Sequence, residues 1–178
     1  MAAVGLVPDR ETDEGLQTRA RLLLDEIDSM DLTPEKSMPV GGTAHYDGVI
    51  GFDGVSDRAD FILPGAFMTA DLDLDVNFGT NSMTGTASEF RSESDDIEVD
   101  GNLGLSGDIT GASFSGTLSG QFSQTWYAGT VDIDLDGDFE GSFYGSDAGS
   151  LVAAGIAEGS QDGTPTSDYG LAFVAVAE

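Results

Sequence analysis

The sequence predicts an all-β fold: an eight-stranded antiparallel up-and-down β-barrel preceded by one short N-terminal amphipathic helix. Three observations predict it. From Thr43 onward the hydrophobic period is two, as in Leu72, Leu74, Val76 and Phe78 alternating with Asp71, Asp73, Asp75 and Asn77. Glycine is abundant at 25 of 178 residues while proline is scarce at 5, a balance that suits short strands and turns. Finally, glycines fall on the apolar side of that alternation. Gly137 and Gly141 share the row of Val131, Ile133, Leu135, Phe139 and Phe143, and Gly116 and Gly120 share that of Phe114, Leu118 and Phe122. Small residues between large ones relieve crowding where a sheet coils.

Eight strands follow, at about 43–52, 67–78, 82–90, 101–109, 113–125, 131–144, 150–159 and 170–177. Short joins such as Gly79-Thr80-Asn81 and Thr110-Gly111-Ala112 suit hairpins. Meander order closes eight strands into a barrel filled by side chains, with a two-sheet sandwich as the alternative. Ahead of the barrel, Thr12–Met30 reads as a helix whose stripe is Leu16, Ala20, Leu23, Leu24 and Ile27. Thr12 suits its N-cap, and Asp13 and Glu14 its positive dipole end. Asp31–Gly42, with Pro34, Pro39 and Gly41-Gly42, reads as a linker. The expected division is therefore an arm over 1–42 and a barrel over 43–178. The stripe must dock either on its own barrel or on a neighbour. Because the outward rows are acidic and offer little apolar area, Leu16, Leu23, Leu24 and Ile27 are expected to bind a partner chain.

The charge balance narrows the partners. There are 33 acids against 6 bases, a net charge of −27, and Lys36 is the only lysine. Such a body repels phosphate backbones and anionic lipid, so neither direct nucleic-acid binding nor membrane insertion is expected. An acidic surface fits a saline, marine setting and simple solubility equally. No cysteine is present, which excludes disulfides, zinc-thiolate sites, a cysteine nucleophile and a lipidated N-terminal cysteine. The N-terminus lacks a basic region followed by an apolar run, and no stretch approaches the ~20 apolar residues of a membrane helix. The expectation is an export signal already removed, or a protein used without one.

Candidate sites are few. Asp132-Ile133-Asp134-Leu135-Asp136-Gly137 matches the D-x-D-x-D-G of a calcium loop, with Glu140 at its ninth position. Its twelfth position is Phe143, and Ile133 and Leu135 continue a strand row, so a solvated acidic strand face is expected instead. Glu93, Asp95, Asp96, Glu98 and Asp100 read as an ordinary acidic loop. His45 is the only histidine, which leaves no zinc set or nucleophilic triad, and it reads as a strand residue near a barrel mouth. Acids spaced every two residues on an outer face form no converging cleft, so no catalytic residues, metal ligands or cofactors are expected. Trp126 and Tyr127 end a long strand and are candidate interface anchors, with core or hairpin packing left open.

These residues resemble a family. Gly42-Thr43-Ala44-His45-Tyr46-Asp47-Gly48 is similar to the G-x-A-x-Y-x-G opening of transferrin-binding protein B-like barrels. Val76-Asn77-Phe78 and Met83-Thr84-Gly85-Thr86 resemble its next hairpin, and Ser113-Phe114-Ser115-Gly116-Thr117-Leu118 its N-x-F-x-G-x segment. Gly141-Ser142-Phe143-Tyr144-Gly145 resembles its G-x-F-Y-G signature, with Ala148 and Gly155 near its A-x-E-x-G-G positions, and Tyr169-Gly170-Leu171-Ala172-Phe173 its closing strand. The resemblance runs from Gly42 to the C-terminus and implies a non-enzymatic barrel that binds proteins or haem through loops and barrel faces. Two departures stand out: the family's lipidated cysteine is missing, and Ser146–Leu151 lacks the usual proline and glutamate. The expected function is thus a binding or assembly module displayed outside a cell or particle, in an oligomer or larger assembly. The alternative is a structural decoration or cement protein of a phage capsid.

An unbalanced acidic body should be stabilised by screening. The thermal midpoint is expected to rise between low salt and ~0.5 M sodium chloride. A flat or falling midpoint in a calorimetric series would show that the charges are compensated within the fold.

Overall fold

The computed structural model describes residues 30–56, 68–92, 97–127 and 129–177. Eight strands form one closed antiparallel barrel: β1 (Thr43–Ser56), β2 (Met68–Asn77), β3 (Ser82–Ser92), β4 (Glu98–Thr110), β5 (Ser113–Trp126), β6 (Gly129–Tyr144), β7 (Ser150–Gln161) and β8 (Thr164–Ala177). Each strand pairs with the next, and β1 pairs with β8 to complete the ring. The meander and the closure are as the sequence predicts. The expected helix over Thr12–Met30, with Leu16, Leu23, Leu24 and Ile27, lies outside the described residues except for Met30. Among the described residues, helical geometry is confined to two three-residue 3-10 turns, Glu35–Ser37 and Ser146–Ala148.

The inward rows hold the core. Leu72, Leu74 and Val76 of β2, Phe114, Leu118 and Phe122 of β5, and Ile133, Leu135, Phe139 and Phe143 of β6 are all buried. Large inward residues face inward glycines across the strand pairs: Phe114 opposite Gly141, Phe139 opposite Gly116, Leu118 opposite Gly137 and Phe122 opposite Gly101. At Gly116 a Cβ would lie 2.1 Å from the Ser106 carbonyl oxygen and 2.6 Å from the Phe139 ring. Nothing larger than hydrogen fits. The aromatic rings that fill the space form two groups, one in which Phe114 is set edge-on to both Phe139 and Phe143 and one in which Phe90 is stacked between Phe52 and Phe122.

One end of the barrel is bound by the segment expected as a linker. Leu32 bridges Tyr144, the Thr33 amide donates to the Phe143 carbonyl at 2.9 Å, and the Gly145 amide donates to the Asp31 carbonyl at 2.9 Å. Met38 packs against the core, and the Phe78 amide donates to the Gly42 carbonyl. Beneath this segment the buried Tyr46 hydroxyl donates to the Ala148 carbonyl. Burial pushes the Tyr46 phenol up to about 12.

Several details differ from the sequence reading. Strands β4, β6 and β8 begin earlier than expected, so Glu98 and Asp100 are exposed strand residues and not part of a loop. Glu93, Asp95 and Asp96 lie outside the described residues. Asp162 and Gly163, at φ 51° and 73°, make a two-residue hairpin between β7 and β8, a turn that requires this backbone at both positions. The outer face is not uniformly acidic. Val49 and Val174 face each other across β1 and β8 on outward positions, yet are only 2% and 4% exposed.

Two outcomes follow from this packing. Gly116→Ala should cost about 2 kcal/mol or more, because backbone on β4 must move to admit the methyl. Gly104→Ala, whose Cβ would meet nothing nearer than 3.8 Å, should be neutral or stabilise by less than about 1 kcal/mol. Equal melting shifts in the two variants would refute the packing argument. Tyr46 sets an alkaline limit: its folded pKa lies above the unfolded value near 10, so its contribution is complete below about pH 10 and is lost as pH rises through about 12. Tyr46→Phe should flatten the denaturation profile across that window, and an unchanged slope would assign the alkaline loss to other groups.

Candidate functional site

A filled interior leaves the outside of the barrel for function. The outward positions of β6 carry Asp132, Asp134, Asp136, Asp138 and Glu140, all exposed. The calcium-loop pattern is therefore a strand in register with β5, as the alternation predicts. Its acids meet polar neighbours: the Ser123 hydroxyl donates to Asp132, and the Gln121 side-chain amide donates to Asp134 at 3.0 Å. On the other side Glu158 of β7 faces Asp136 directly, a repulsive pair, and Ile156 faces Asp138. Ile156 is 72% exposed, a large apolar side chain standing in an acidic field. A shallow groove crosses this face, lined by Gly107, Gly116, Asp108, Asp138, Glu140 and Ile156. No lysine or arginine lies on β4–β7. An outer surface of carboxylates, serines and threonines is built to face water, whereas a lipid-facing barrel needs an apolar outer band. Among the described residues no helix is long and apolar enough to cross a membrane.

A second grouping lies on β1 and β2 and was not predicted. His45 pairs with Asp75 across the strands, and Asp47 pairs with Asp73. The His45 Nδ1 lies 3.1 Å from the Asp75 carboxylate, and its Nε2 lies 3.5 Å from Asp47 and 3.8 Å from Asp73. The hydrogen bond to Asp75 raises the imidazole pKa above its ordinary 6.5 against an opposing desolvation, with Coulombic support from Asp47, Asp75 and Asp73. The signal was available in part. Alternation puts His45 and Asp47 on one face of β1, but only the β1–β2 register brings Asp73 and Asp75 to them.

The remaining candidates separate. Trp126 is partly buried against the core, whereas Tyr127, one residue on, is wholly exposed. Leu16, Leu23, Leu24 and Ile27 lie outside the described residues. Ile156, absent from the sequence-based candidates, had a signal in its outward position on β7 between Gly155 and Ala157.

Comparison with known proteins places this geometry. The chain matches the family model of the C-lobe and N-lobe β-barrels of Tf-binding protein B over residues 38–170. No curated protein sequence matches it. Among solved structures it is similar to transferrin-binding protein B from Haemophilus parasuis Hp5, with a TM-score of 0.55 and 19% identity to one mutant form and 0.53 and 21% to a double mutant. Each match covers 83% of this chain and 28% of that one. Intact Ap-TbpB, with N and C lobes, gives a TM-score of 0.50 at 18% identity, covering 83% of this chain and 29% of that chain. The chain thus spans less than a third of the length of these structures, and at such identities the likeness is one of fold. The family match takes in most of the sequence, and the chain belongs to the transferrin-binding protein B β-barrel family.

Proposed function

We propose that this chain is a non-enzymatic protein-binding barrel, displayed outside a cell or particle, that meets its partner on the outer face of β5–β7. The observation that carries the reading is Ile156, 72% exposed among Asp136, Asp138, Glu140 and Glu158 with no base on the same strands. An apolar anchor inside an acidic rim fits a partner that presents an apolar side chain ringed by arginine or lysine. The acids supply steering and the apolar contact supplies affinity once water is excluded. The filled interior supports the same conclusion, since it leaves the barrel faces and loops for recognition. Tyr127, wholly exposed at a hairpin, and the stripe Leu16, Leu23, Leu24 and Ile27 are proposed as further contacts. That the family takes its name from a transferrin-binding protein is consistent with a protein partner, without naming the one bound here.

The test is an amide-shift titration of the labelled chain with a short peptide of arginines around a central leucine, at ~0.15 M salt. Perturbed amides should cluster at Thr117, Asp138 and Ile156. Ile156→Ser should weaken binding about fivefold or more, the value of burying one aliphatic side chain, while Asp100→Ser on β4 should change it less than about twofold. Shifts spread evenly over every acidic strand, with Ile156→Ser silent, would reduce the effect to bulk charge and overturn the reading.

A further inference from the structure

We propose that His45, Asp47 and Asp73 form a binding site for a divalent transition-metal ion of the zinc class, with Asp75 orienting the imidazole. One ligand atom from each of the three residues lies within 4.8 Å of the other two. A zinc ion bonded at about 2.0–2.2 Å needs neighbouring ligand atoms roughly 3.3 Å apart. The His45 Nε2 stands 3.5 Å from the Asp47 carboxylate and 3.8 Å from that of Asp73, and the two carboxylates lie within 4.8 Å of each other, so the three donors need only draw closer to hold an ion. The direction of the ring matters as much as the distances. Asp75 holds Nδ1 at 3.1 Å, so when the ring gives up one proton to a metal Nδ1 keeps its own toward that carboxylate and Nε2, the nitrogen nearer Asp47 and Asp73, becomes the ligand. That is the carboxylate–histidine–metal arrangement by which an outer carboxylate fixes the tautomer and strengthens the ligand.

The sheet supplies the rigidity. Asp47 and Asp73 are direct cross-strand partners, and so are His45 and Asp75, which places all four side chains on successive outward rungs of one ladder, with the inward Tyr46–Leu74 pair between them. Like charges set opposite each other destabilise a strand pair, and the Asp47 side chain is only 15% exposed, so water screens it incompletely. A cation at this point is attracted by both carboxylates. The donor set selects its class: one imidazole with two carboxylates suits zinc or its first-row neighbours, whereas calcium and magnesium take oxygen donors alone. Three protein ligands leave a fourth position open to water or to a partner's side chain. The site lies on β1–β2, away from the acidic face of β5–β7, and it does not depend on the function proposed for that face.

Calorimetric titration of the whole chain with zinc, calcium and magnesium at ~0.15 M salt tests the assignment. Zinc is expected to bind one site in the micromolar range, with calcium and magnesium at least about tenfold weaker. His45→Asn should reduce zinc affinity about tenfold or more, and Asp75→Asn by a similar factor although Asp75 is not a ligand. Nitrogen shifts of the His45 ring distinguish orientation from simple charge, because zinc should move Nε2 in the parent protein while Nδ1 remains protonated. His45 is exposed at the surface, so both variants should melt with the parent, which a thermal scan verifies. Calcium binding as tight as zinc, zinc affinity unchanged in His45→Asn, coordination through Nδ1, or no zinc binding at millimolar concentration would each overturn the proposal.

Discussion

Across the strand pairs of this barrel, large inward side chains lie against inward glycines, and the rest of the structure depends on that complementarity. Eight strands enclose a space just wide enough for side chains to fill. Phe139 stands opposite both Gly116 on β5 and Gly155 on β7, so one ring occupies space that three residues would otherwise dispute. The glycine partners cost backbone entropy, and the aromatic contacts they permit offset it. A barrel packed in this way is solid, which leaves its outer rows and ends as the surfaces that meet the surroundings. The same packing explains why residues 30–42 bind one end. Phe143, Tyr46 and Phe78 form an aromatic layer there, which Met38 and the buried Thr33 separate from water.

The outer rows face the opposite problem. The acids of β6 keep their hydration while Asp47 is only 15% exposed; the sum of their charges is repulsive, and some pairs are set directly opposite one another. Asp136 with Glu158 and Asp47 with Asp73 are such pairs. Donors from serine and glutamine side chains satisfy oxygen lone pairs at Asp132 and Asp134 without removing charge. Among the described residues His45 is a protonatable base set among several acids, and there the imidazole is driven toward its charged form. Cations and basic partner surfaces thus act on the same quantity, the residual repulsion between neighbouring strands.

Much of the fold was legible because a period of two is a local signal. Leu72–Phe78 and Val131–Phe143 sort themselves inward or outward without knowledge of neighbouring strands. Other features needed the register. Thirty residues separate His45 from Asp75, and nothing in either segment announces the other; the pairing appears only when β1 meets β2. Val49 and Val174 read as ordinary apolar strand residues, but the alternation set by Tyr46 and Phe173 turns both outward. The β7–β8 hairpin could have been read, since Asp162-Gly163 is a strong two-residue turn signal, but the alternating small residues around it obscured the strand ends. The stretch over 31–42 looked like a linker because its prolines and glycines forbid regular structure. Its hydrogen bonds go to the barrel end instead.

The two-residue period also explains why family membership leaves the partner open. Inward and outward residues of a strand share a backbone but not an environment, so an outward side chain can change with little effect on the core beneath it. Identities near 20% to solved structures go with a shared fold, and a shared fold constrains the inward rows without fixing the outer ones. In this chain those rows carry aspartate, serine and threonine so regularly that the departures become the informative positions. Ile156 departs by exposing apolar area to water, a cost that solubility does not explain. His45 departs by placing the chain's only histidine where three carboxylates already converge. Neither residue supports the core. Each is therefore better explained by what it meets in solution than by what holds the barrel together.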